Sequence, residues 1–191
     1  MTLPWLPDEA ALRCFPLLTS GSAYRSPRHL EAVLEQFEVE THPRYQRTPA
    51  GITKCSTFLW DVSRAMGCEL AKDYGAAETV FDLNHANPRT VIVKRERTLN
   101  ELIAWLHGAG ISIGFRFVAE LDARAAANAG KFAMALWKNP HGDPGHGAVL
   151  RPQPSDRDPN TWIAQAGSKN FLNGTLQSGF ASLPVEFCVR D

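Results

Sequence analysis

Cys55 is the residue of this sequence best placed to do chemistry. It opens the stretch Cys55-Ser-Thr-Phe-Leu-Trp-Asp-Val-Ser-Arg-Ala-Met-Gly67. Phe58, Leu59, Val62 and Met66 share one helical face there, and Gly67 supplies a terminator. A cysteine at a helix N-terminus sits among unpaired N–H groups at the positive end of the dipole, which stabilises the thiolate nucleophile. The plainer alternative is a buried cysteine that only packs. The four cysteines, Cys14, Cys55, Cys68 and Cys188, form no CxxC pair. Zinc-ribbon and thioredoxin patterns are therefore missing, and free thiols are expected.

A nucleophilic thiol needs a base and a group that orients the base. Of six histidines, His29 falls in the first turn of a predicted helix, and His42 and His85 fall in loops. His107 sits in a last helical turn, where a cation complements the dipole. His141 and His146 flank Gly-Asp-Pro-Gly, and His146 begins the apolar strand His-Gly-Ala-Val-Leu. That position would hold an imidazole rigidly at a sheet end, whether for catalysis or for structure. Gln165 closes the next apolar strand, Trp162-Ile-Ala-Gln165, and could set the tautomer of His146. It could equally satisfy a strand end. Asn170 and Asn173 compete for the orienting role or serve as turn formers.

These residues need elements to hold them. The first fifty residues read as an irregular arm with one helix, capped by Ser26 with Pro27 at its first position. Leu30, Val33, Leu34 and Phe37 form its apolar face. His42 to Gly51 reads as an extended loop. Asp82 to Arg89 is turn-rich, and Val91-Ile-Val93 is a short strand candidate. Thr98-Leu-Asn-Glu101 is a capping box ahead of a helix stopped at Gly108, and a further helix spans Ala119 to Ala129 before Gly130. Strands follow at Phe132–Trp137, His146–Arg151, Thr161–Gln165 and Val185–Val189. Helices followed by an antiparallel meander indicate an α+β fold. The expected organisation is one domain over 1–191, with an arm and helix over 1–50 and a catalytic core over 51–191.

At this point the chain resembles the NlpC/P60 and CHAP branch of papain-like cysteine hydrolases, and more narrowly cell-wall amidase-like proteins of bacteria and phages. The resemblance rests on Arg44-Tyr45, the Cys55–Gly67 helix, Pro144-Gly-His-Gly-Ala-Val-Leu-Arg-Pro152, Gln165-Ala-Gly, and Asn170-Phe-Leu-Asn-Gly174, in that order between Gln36 and Phe180. It implies a papain-like fold with N-terminal helices packed on a C-terminal antiparallel sheet. Cys55 would be the nucleophile, His146 the general base and then acid, and Gln165 the orienting residue. The oxyanion would be held by the Cys55 N–H and a neighbouring donor. No cofactor and no metal would be required. The departures are Gly147 where the motif usually has a β-branched residue, Ser56 where Asn is frequent, and an unusually long separation of Cys55 from His146. The implied reaction is cleavage of an amide bond in peptidoglycan peptide, as an amidase or endopeptidase. A protease, transferase or deamidase toxin acting on a protein target is the alternative within thiol chemistry.

Composition narrows the setting. The chain has 191 residues, with 20 Lys+Arg balanced by 20 Asp+Glu. Its 44% hydrophobic and 21% charged residues are ordinary for a globular domain able to bury a core without disulfides. Zero net charge argues against generic nucleic-acid or anionic-membrane binding. The N-terminal residues carry no recognisable secretory signal, and no apolar run is long enough to span a bilayer. A wall-directed enzyme of this kind is expected to be made in the cytoplasm and to reach its target by lysis, as an endolysin does, or by a non-Sec secretion system, as an effector does. A delivery or immunity protein is the expected partner. Two other classes remain. His141, Asp143 and His146, joined by His85, could hold zinc, although HExxH and paired Cys/His spacings are absent. A non-catalytic binding module would keep the fold with an unreactive Cys55. Trp60, Trp137 and Trp162 are candidates for a groove lining as well as for core, and Asp61 is expected to be a solvated charge.

Overall fold

A computed structural model describes residues 18–80, 89–142, 144–155 and 157–191, with the backbone alone for 73–80 and 89–95. Cys14, His85 and Asp143 lie outside the described residues.

Local signals explain the helices that surround the site. Ser26 caps α1 (Pro27–Glu35) by accepting from the His29 N–H at 3.2 Å, and the predicted face of Leu30, Val33 and Leu34 is fully buried. Helix α2 (Cys55–Ala65) begins at Cys55 as the sequence indicates, and nearly all of it is buried. Both bonds of the capping box form at Thr98 and Glu101, opening α3 (Leu99–Trp105). Beyond α3 the chain does not stop at Gly108 but widens into a π-type turn over Leu106–Gly110. Helix α4 (Glu120–Asn128) ends before Gly130, which adopts φ +74°. The short α5 (Leu176–Phe180) has no counterpart in the predicted elements.

Eight strands are described. Strands β1 (Asp73–Val80) and β2 (Arg89–Glu96) form a separate antiparallel pair, longer than the short strand expected at Val91–Val93. The main sheet holds β3 (Arg116–Val118), β4 (Phe132–Trp137), β5 (His146–Leu150), β6 (Trp162–Gln165), β7 (Phe171–Thr175) and β8 (Glu186–Arg190). Its order is β3-β8-β4-β5-β6-β7 with every pairing antiparallel. The meander is therefore real over β4 to β7, and β8 returns to the far side of β4. Mixed helix and antiparallel sheet make the chain α+β.

The core lies where α2 and α4 meet the sheet. Phe132 to Leu136 are all fully buried, so both faces of β4 are covered. Phe37, Tyr45 and Phe58 meet edge to face with centroids 5.4–6.3 Å apart. Each such pair adds about 0.5–1.5 kcal/mol beyond its area. Helix α2 lies so close to β5 that a Cβ on Gly147 would come within 2.7 Å of Leu59 Cδ1. This close approach is what a glycine at 147 allows.

Candidate active site

The approach to Cys55 is a turn closed on itself. Gly51 N–H donates to the Thr48 carbonyl at 2.8 Å, and Ile52 N–H donates to Thr48 Oγ1 at 3.0 Å. Arg47 Nε donates to the Gly51 carbonyl at 2.8 Å, and Gly51 takes φ +83°, which glycine permits. The chain then enters α2 at Cys55 with no side-chain cap from Lys54. The first-turn N–H groups, which have no intrahelical acceptor, are thereby left for other partners.

The Cys55 thiol is buried against the first residues of β5. Thr53 and the backbone amides of Gly147, Ser56 and Cys55 itself favour its charged form. Burial pushes its pKa above that of an ordinary thiol, and these donors oppose the rise without cancelling it. Desolvation is the largest influence, because the charged form loses more water than the nearby donors replace.

His146 and Gln165 are brought together, with His146 Nε2 2.8 Å from Gln165 Oε1. The same amide donates from its Nε2 to the Lys169 carbonyl at 2.9 Å. A carbonyl only accepts, so the amide nitrogen must face Lys169 and the amide oxygen must face the ring. That oxygen in turn requires a proton on His146 Nε2, which leaves Nδ1 as the basic nitrogen of the neutral imidazole. Burial lowers the His146 pKa, and the Gln165 bond works against that shift. Phe180 covers the imidazole with ring centroids 4.8 Å apart.

A groove of about 470 Å³ opens beside the thiol. Ile52, Thr53, Cys55, Ser56, Leu99 and Pro144 line it, with Glu96 and Arg97 at one part of its wall. The three tryptophans suggested for a groove do not line this one. Trp60 donates to Glu69 Oε1 at 3.1 Å and carries Lys72 Nζ 4.3 Å from its ring centre, while Trp162 donates to Asp158 Oδ2 at 2.8 Å.

The other orienting candidates serve elsewhere. Asn170 Nδ2 donates to the carbonyls of Val39 and Tyr45 at 3.0 and 2.9 Å, tying the N-terminal arm to β7. Asn173 is exposed. Asp61 is not a solvated charge. Its carboxylate accepts Arg44 Nε at 2.7 Å, Arg44 Nη2 at 3.0 Å and the Tyr45 hydroxyl at 2.8 Å. This cluster docks the arm on α2, and the Arg44-Tyr45 dipeptide was its visible trace in the sequence. Burial and the adjacent carboxylate raise the Tyr45 pKa far above its ordinary range.

His141 is exposed, and its N–H donates to Asn139 Oδ1 at 3.0 Å, while its suggested co-ligands His85 and Asp143 lie outside the described residues. Among the described residues no three histidine, cysteine or carboxylate side chains gather as a metal site. Sequence reasoning missed Thr53, which lines the groove with Cys55, and Gly167, Gly179 and Phe180, which pack on the His146–Gln165 pair. Only Gly167, two residues past Gln165, carried a hint. No helix among the described residues is long and apolar enough to cross a membrane. No protein-family model and no curated protein matches this chain in sequence.

Proposed function

We propose that this chain is a thiol amidohydrolase with a papain-like, NlpC/P60-type fold that cleaves an amide bond of peptidoglycan peptide. The observation that supports the reading is the Gln165–His146 hydrogen bond, which reserves Nδ1 as a base at the start of a strand whose second residue, Gly147, packs against the helix that Cys55 opens. Because burial raises the thiol and lowers the imidazole, the resting pair is Cys–SH and neutral imidazole. His146 Nδ1 takes the thiol proton as Sγ attacks the carbonyl carbon. The C=O electron pair moves to oxygen, where the Cys55 N–H at the open start of α2 receives it. Collapse expels the amine, which leaves with the proton held by His146. Water then attacks the thioester, giving one proton to Nδ1; collapse expels the Cys55 sulfur, which takes that proton back as the thiol, and the acid product leaves, ionising to the carboxylate in solvent.

The groove suits an extended peptide, with Ile52, Leu99 and Pro144 as apolar contacts and Thr53 and Ser56 as polar ones. The test is mass spectrometry of purified peptidoglycan fragments incubated with wild type and with Cys55→Ala. New fragments that depend on Cys55 support the reading, and the mass change identifies the bond. Unchanged fragments under both proteins overturn the wall substrate.

A further inference from the structure

We infer that Gly167 and Gly179 are positioning residues, whose missing side chains let the Gln165 amide hold His146 in the Nε2–H tautomer. The inference rests on the catalytic reading of Cys55 and His146.

Neither glycine is required by the backbone, since neither adopts φ in the left-handed region. Gly179 even lies within α5, where alanine is the better helix former. What forbids a side chain is the Gln165–His146 pair. A Cβ on Gly179 would stand 2.6 Å from Gln165 Oε1, the atom that accepts from the imidazole, and 2.7 Å from Ile163 Cδ1. A Cβ on Gly167 would stand 3.0 Å from Gln165 Nε2 and 3.0 Å from His146 Cε1. The two glycines thus bracket both polar atoms of one buried amide.

The fold concentrates this effect. The pairing of β6 with β7 shifts register between Ile163 and Gln165, so the end of β6 is already irregular. Such irregularities re-aim side chains at sheet ends. Helix α5 then brings Gly179 against the amide and its neighbour Phe180 against the imidazole ring. The groups a methyl would strike are the ends of flexible side chains, not backbone. An alanine is therefore accommodated by moving Gln165, and the damage falls on its bond to His146 rather than on the fold.

The experiment measures ¹⁵N chemical shifts of the histidine rings in wild type, Gly179→Ala and Gly167→Ala, with His146 assigned by the signal lost in His146→Gln. Gly21→Ala is the control, because its Cβ meets open space. Wild type and the control are expected to show His146 protonated at Nε2. Gly179→Ala is expected to show Nδ1–H or an exchanging mixture, Gly167→Ala a smaller change, and Cys55 alkylation by iodoacetamide at neutral pH is expected to fall about tenfold, the scale of one lost hydrogen bond. An unchanged tautomer and alkylation profile in the folded alanine variants overturns the inference. Should Gly179→Ala fail to fold, Gly167→Ala decides by the same readout. The tautomer is read without any substrate. Loss of the Nε2–H form in the variants, with wild-type Cys55 inert to iodoacetamide, would sink the catalytic reading while leaving the positioning role intact.

Discussion

Helix α2 carries two buried polar groups that differ in how completely they are satisfied. Near its middle, the Asp61 carboxylate accepts two bonds from Arg44 and one from Tyr45, with the Arg44 and Asp61 side chains only 6% and 9% exposed. At its start, Cys55 lines a groove, and at the start of β5, the strand packed on this helix, His146 has one ring nitrogen bonded and the other kept basic. A saturated buried cluster holds elements together. A buried cluster with one reactive lone pair left over can do chemistry. The contrast with the other cysteines is similar. Burial pushes Cys68 and Cys188 up to about 12, yet neither lines the Cys55 groove.

The comparison can be broken most severely at Cys55, the proposed nucleophile. Cys55→Ala is expected to abolish hydrolysis, by at least about 10³-fold in turnover, while the urea unfolding midpoint barely moves. A large loss of stability in that variant would make Cys55 a packing residue. Asp61→Ala should do the reverse. Removing one partner of a buried ion pair costs about 3–5 kcal/mol, so the midpoint should drop steeply while the pH profile of Cys55 alkylation in the folded protein is retained. Gln165→Ala should lower turnover by about 10²-fold through a misplaced base, and its signature is altered His146 ¹⁵N shifts. Wild-type shifts in that variant would reassign the orienting role.

The smallest effect is on pH-dependent stability. In the fold His146 titrates below its ordinary 6.5. Below that value the unfolded chain binds a proton that the folded chain refuses. The stabilisation is full above the unfolded pKa and is lost as pH falls through the folded one. Cys55 has the opposite sign. Its folded pKa lies above the ordinary 9.0, so its contribution is full below 9.0 and is lost as pH rises through the folded value. Urea midpoints for wild type and His146→Gln, compared from about pH 5 to pH 8, should converge toward the acid end. Parallel curves would show that His146 is not buried as a neutral ring.

Much of this was legible in local patterns. Ser26-Pro27, the Thr98 capping box and the apolar run Phe132–Trp137 each encode an element within a few residues, and each forms where its pattern lies. Cys55 at a helix start and His146 at a strand start were visible for the same reason. Strand β3 is three residues long, and β7 contains Asn173 and Gly174, residues poor in strand preference. Both are strands because neighbours pair with them. Asp61 was misread because its partners lie 16 and 17 residues earlier in the chain, a separation that no helical period reveals.

The sequence by itself determined the α+β class, the site of a helix-opening cysteine and the order of its candidate partners, since those depend on residues close together along the chain. Tertiary structure alone decided that Gln165 rather than Asn170 meets His146, that Asp61 is a buried anchor, and that burial pushes the thiol up. Those outcomes depend on desolvation and on contacts between distant segments, and neither exists until the sheet has closed over them.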